Sequence, residues 1–107
     1  MEKYLLIKKE NNYLIVNAEN YNQEFETVMS SNNILDLIQQ DDLIEVTKPD
    51  FDNGDKNIVV NYIPIIAKYI LDDWLKSGLN IIAIYKKDSN KNFIRIAEKI
   101  NKEWRIL

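Results

Sequence analysis

The chain has 107 residues, 46% of them hydrophobic and 29% charged, with a formal net charge of −3; that is enough apolar material for one core, and a single domain over residues 1–107 is expected. It contains no cysteine and no histidine, which excludes disulfide frameworks, thiolate or imidazole zinc sites, haem attachment and every Cys- or His-based nucleophile. Gly54 and Gly78, its two glycines, are too far apart to build a phosphate-cradling or dinucleotide-binding loop.

In chain order, Lys3 to Lys9 and Tyr13 to Asn17 are β-prone runs separated by a polar turn, Glu10-Asn11-Asn12, and predict a hairpin. Glu24 to Met29 alternates as a third strand. Ser30-Ser31-Asn32-Asn33 is a run of capping residues, and Ile34, Leu35, Leu37 and Ile38 follow at helical spacing, which predicts a short helix over about 33–39. Leu43 to Thr47 reads as a strand. Asn53-Gly54 is the dipeptide favoured in type I′ hairpin turns, so Asn57 to Tyr62 is the expected return strand. Pro49 lacks an amide hydrogen and implies an edge position, a bulge or a longer loop there.

Pro64 suits the first turn of a helix and Gly78 the position just past the end of one. At helical spacing Ile63, Ile66, Ala67, Ile70, Leu71 and Trp74 form one apolar face, so the principal helix is expected over about 64–77. Lys68, Asp72 and Lys76 fall on the opposite side, and Ile65 and Tyr69 share it. Asn80 to Lys87 and Asn92 to Ala97 are strands about a turn at Asp88–Lys91. From Glu98 onward Ile100, Trp104 and Leu107 have helical spacing, while Glu103 to Leu107 also reads as a final strand. The expected fold class is therefore α+β: antiparallel β-hairpins packed on one principal helix, plus the short helix.

The residues offer little covalent chemistry. Asp50 to Asp55 superficially resembles a calcium loop, but placing Gly54 at loop position six puts Pro49, Phe51 and Val60 at ligand positions. Asp41-Asp42 and Asp72-Asp73 are adjacent pairs, and adjacent side chains diverge on a strand or a helix, so neither forms a catalytic dyad. Ser30, Ser31, Ser77 and Ser89 have no histidine to activate them and fit caps and turns. No catalytic residue, cofactor or metal is expected.

Charge points instead to a partner. Between Asp36 and Asp55 there are seven acids against the one base Lys48, a segment suited to docking a basic surface. The expected partner-binding residues are Asp41, Asp42, Asp50, Asp52 and Asp55, with Ile65 and Tyr69 as exposed anchors on the helix, in a monomer or homodimer. The alternative is nucleic-acid binding through the Tyr85 to Arg95 hairpin, where Tyr85, Lys86, Lys87, Lys91, Phe93 and Arg95 mix bases with aromatics. The overall acidity of the chain counts against it. No apolar run approaches the roughly 18 residues that span a bilayer, and Met1 to Ile7 is too short for a secretory signal; a cytoplasmic location is expected.

The stretch Ser31-Asn32-Asn33-Ile34-Leu35-Asp36-Leu37-Ile38-Gln39-Gln40-Asp41-Asp42-Leu43-Ile44 resembles a segment of small phage and prophage proteins from low-G+C bacteria, Ser/Asn-x-x-Ile-Ile-Asp-Leu-Ile-x-x-Gly-Asp-Leu-Val. Leu79 to Tyr85 is similar to their closing strand. Asp41 stands where that pattern has glycine. The resemblance is to proteins of unknown function and implies a setting, that of a mobile-element accessory protein inside a bacterial host; by analogy, small acidic non-enzymatic proteins in that setting often bind and block a host defence enzyme, as anti-CRISPR proteins do. It assigns no site residues.

Overall fold

The computed structural model describes residues 2–50, 56–64 and 68–107. In chain order they form β1 (Tyr4–Lys9), β2 (Asn12–Asn17), β3 (Glu26–Ser31), β4 (Leu43–Asp50), β5 (Lys56–Pro64), α1 (Lys68–Lys76), β6 (Asn80–Lys87), β7 (Phe93–Ile100) and β8 (Glu103–Ile106), with short 3-10 turns at Ala18–Asn20 and Ile34–Leu37. The strands make two antiparallel sheets, ordered β2-β1-β3 and β5-β4-β6-β7-β8.

This corrects the α+β expectation. Strands take 51% of the chain, and the described helix α1 is short. The core lies largely between the sheets, where Leu6 and Ile15 of the small sheet meet Ile44, Val46, Ile81 and Ile84 of the large one. The helix adds Leu71 to this core, with Trp74 and Leu75 packed against it, so it is one wall among several.

The expected helix start was misplaced because the β-prone run continues. Ile58 to Ile63 is rich in β-branched residues, which favour extended backbone, and strand pairing runs on through Ile63 opposite Ile44 to Pro64 opposite Leu43. Pro64 thus ends an edge strand, where a missing amide hydrogen is tolerated. The helix end is as expected. Gly78 takes φ 93, its N–H donates to the Leu75 carbonyl, and the Leu79 N–H donates to the Trp74 carbonyl, the Schellman arrangement that only a left-handed residue closes easily.

The expected helix over 33–39 is a single 3-10 turn, Ile34–Leu37, whose Asn33 side chain accepts from the Leu35 N–H. Ile38 is already extended; one isolated turn gains too few hydrogen bonds to propagate. The C-terminal segment is a strand, reached through a two-residue turn in which Asn101 and Lys102 have φ 51 and 69, the positive pair of a type I′ hairpin. Pro49 lies past Thr47–Asn80, the last β4–β6 pair, and pairs with Asn57 of β5. The Asn53-Gly54 turn lies outside the described residues.

Candidate functional site

Two bulges decide which charges face inward. Between Glu45–Ala83 and Val46–Ile81 the pairing skips Ile82, and between Ile84–Ala97 and Tyr85–Arg95 it skips Ile96. A bulge adds a residue and so resets the alternation of faces. Ile81 and Ile84 therefore both join the core, and alternation carries Lys86 to the same side of β6. Lys86 is 3% exposed and Asp42 6%, and Lys86 Nζ lies 2.6 Å from Asp42 Oδ2.

The same carboxylate oxygen accepts the Gln39 N–H at 2.8 Å, while the Asp42 N–H donates to the Gln39 carbonyl. Asp42 thus closes the loop before β4 and pins it to β6. Burial pushes the Asp42 carboxyl above its ordinary 3.8 and the Lys86 ammonium below its ordinary 10.5, against the mutual attraction of the pair. Around this pair the β1–β2 turn, the loop before β4 and the end of β6 enclose a cleft of about 340 Å³, lined by Asn11, Tyr13, residues 39–42 and residues 86–88.

The expected acidic surface is divided. Asp41 and Asp42 precede β4, whereas Asp50 ends it; seven steps of about 3.3 Å put Leu43 and Asp50 roughly 23 Å apart. Asp42 is turned inward and neutralised, so of the doublet Asp41 alone is exposed. Asp36 holds the Ser31 hydroxyl at 2.8 Å. Asp52, Asp55 and Ile65 lie outside the described residues. Tyr69 is 71% exposed, on the side of α1 away from buried Leu71. Its helix starts at Lys68, four residues after Pro64, which pairs with Leu43, and is followed by Asn80, which pairs with Thr47, so Tyr69 falls nearer in the chain to the Leu43 end of the sheet. Tyr69 and Asp41 therefore share an end that Asp50 does not.

The hairpin of the alternative reading is also reorganised. Lys86 is buried, Tyr85 donates its hydroxyl to Glu45 at 2.9 Å, and Arg95 lies 3.5 Å from Glu98, which also holds Arg105 at 2.6 Å. On that outer face Lys87 and Phe93 remain exposed, with Lys87 Nζ 5.4 Å from the ring centroid. The inward Asp42–Lys86 pair is the feature that sequence reading missed. Its signal was the Lys86-Lys87 doublet on β6, where alternation sends one member to each side.

Comparisons with protein-family models, with curated proteins and with solved structures find no match for the chain. Among the described residues no helix is long and apolar enough to cross a membrane.

Proposed function

We propose that this protein works by binding another protein without covalent chemistry, as an accessory protein of a phage or mobile element that meets its target, a host defence complex, in the bacterial cytoplasm. The resemblance of residues 31–44 and 79–85 motivates the setting. One observation carries the binding mode: Tyr69 stands 71% exposed on a helix whose other side is buried in the core. An exposed tyrosine is a low-entropy anchor of the type that dominates interface energies. Asp41, at the same end of the sheet, supplies charge for a basic partner. The reading keeps to Asp41 because β4 separates Asp50 from it and Asp52 and Asp55 lie outside the described residues. The nucleic-acid reading is disfavoured by the inward Lys86 and by the carboxylates that hold Tyr85 and Arg95.

Affinity capture from a bacterial host lysate, with and without nuclease, tests the reading. Wild-type bait retains a stoichiometric protein, and Tyr69→Ala reduces its recovery about tenfold or more, a hot-spot effect. The same variant keeps its unfolding free energy within about 0.5 kcal/mol, as expected of a solvent-facing position. Capture unaffected by Tyr69→Ala, or a bait emptied by nuclease, overturns it.

A further inference from the structure

We propose that β3 is the contact surface of a homodimer, pairing antiparallel with β3 of a second copy about a two-fold axis. β3 ends the three-stranded sheet and bonds to β1 on one side only. No backbone hydrogen bond joins its far side to any other described residue. Five of its six residues, Glu26 to Ser30, are exposed, with Val28 at 43% and Met29 at 45%. A free edge of this kind is a template for another strand unless the chain protects it. The other edges carry protection. β2 packs against β6, β7 and β8, β8 has four residues of which Glu103 and Arg105 are charged, and β5 begins with Lys56 and ends with Pro64. β3 has no lysine, arginine or proline, and Glu26 at its start is its one charge.

The order of side chains selects a second copy as the occupant. Residues 27–30 read Thr-Val-Met-Ser. Antiparallel pairing centred between Val28 and Met29 sets Val28 opposite Met29 of the second copy and Thr27 opposite its Ser30. Apolar then meets apolar and hydroxyl meets hydroxyl, both favourable cross-strand pairs. A segment complementary to its own reverse is what an isologous two-fold contact requires. The bulge favours the same occupant. Pairing with β1 skips Val28 between Leu6–Met29 and Ile7–Thr27, and a bulge increases the local twist. A regular foreign strand does not match that twist, whereas a second copy brings the same bulge to the centre of the contact.

Charge sets the length of the new ladder. The next pair outward is Glu26 with Ser31 of the second copy, whose hydroxyl donates to Asp36 at 2.8 Å. Two carboxylates would meet there, so the ladder stops at Thr27 and Ser30, and Glu26 stays opposite Lys8 of its own chain. Four paired residues span roughly 13 Å of strand, a small interface with a Kd on the order of 100 µM. The two small sheets become one of six strands. Every other surface, Tyr69 included, is then presented twice, which multiplies the affinity for a partner with repeated sites.

Sedimentation equilibrium of the full chain, from about 10 µM to about 1 mM, tests the proposal. A reversible monomer–dimer equilibrium is expected, with residues 27–30 gaining hydrogen-exchange protection as concentration rises. Val28→Lys is expected to weaken the dimer about tenfold or more by setting a charge against an apolar side chain. The double variant Val28→Lys with Met29→Glu is expected to return to within about threefold of wild type at low salt, because in the two-fold register each new lysine faces the other copy's new glutamate. Both positions are exposed, so the variants fold, and an unchanged urea midpoint verifies that. A monomer at every concentration, a dimer indifferent to Val28→Lys, or a double variant no tighter than the single one overturns the proposal. A monomeric chain that loses capture of a host protein in Val28→Lys carries a foreign strand on β3, which also overturns it. The expected dimer without Tyr69-dependent capture supports the proposal and overturns the protein-binding reading alone.

Discussion

The Lys86–Asp42 pair and the Arg105–Glu98 pair both close at 2.6 Å, and both join strand residues of the five-stranded sheet or its approach. They face opposite sides. The first has side-chain exposures of 3% and 9%, the second 66% and 15%. Equal distance therefore hides unequal energetics. Water screens the outer pair, so its two charges barely need each other. The inner charges have lost their hydration, and each is tolerated only because the other is present. The difference teaches that a short contact on this sheet is structural where the bulges turn it inward and nearly neutral where they do not.

The largest test breaks the inner pair. Lys86→Met leaves Asp42 buried beside an apolar chain and is expected to cost about 3–5 kcal/mol in urea unfolding. Replacing both, Asp42→Leu with Lys86→Met, is expected to recover most of that loss, because it removes the desolvation penalty along with the attraction. A single-variant cost below about 1 kcal/mol would place the pair in the same class as the outer one.

The pH dependence sharpens the same contrast. Burial raises Asp42 above 3.8, so between 3.8 and the raised value the folded chain keeps a proton that the unfolded chain has released. The stability contributed by this carboxyl is complete below 3.8 and is lost as pH rises through the raised value. Lys86 is lowered from 10.5, so its contribution grows as pH rises from the lowered value towards 10.5. Unfolding of wild type and Asp42→Asn, compared over about pH 3 to 6, is expected to show the difference moving in favour of wild type on acidification. The opposite slope would mean that attraction by Lys86 outweighs burial.

Much of the strand order was legible. The runs at Lys3–Lys9, Tyr13–Asn17, Leu43–Thr47 and Asn80–Lys87 become β1, β2, β4 and β6 with small shifts at their ends, because period-two patterning and polar turns are local signals. The helix start was not legible. Proline fits the end of an edge strand as well as the first turn of a helix, and only the pairing of Ile63 with Ile44 decides between them. The inward Lys86 was hidden for a related reason: strict alternation counted from Ile81 puts it with Ile82 and Ile84, and the skipped Ile82 becomes visible only against β4. Asp41 and Tyr69 were legible as residues, but not as neighbours at one end of the sheet.

The C-terminal segment, which the sequence left open between helix and strand, gives a further test that raises stability without touching either pair. The β7–β8 turn puts Lys102 at φ 69, a position that glycine occupies at no steric cost. Lys102→Gly converts Asn101-Lys102 into the favoured Asn-Gly pair, and a gain of about 0.5–1 kcal/mol is expected by thermal or urea unfolding. A loss would show that the lysine side chain contributes more than the backbone conformation costs.

The smallest effect belongs to the outer cluster itself. Glu98→Gln removes the carboxylate shared by Arg95 and Arg105 while keeping an acceptor of nearly the same shape. A cost of about 0.2–1 kcal/mol is expected at low salt, shrinking as added salt brings the Debye length below about 8 Å. The inner pair has almost no ionic atmosphere, so the cost of Lys86→Met is expected to stay nearly constant over the same salt range. Parallel salt profiles for the two variants would abolish the distinction between the faces. Divergent ones would locate it in solvent access, since the two pairs have the same 2.6 Å separation.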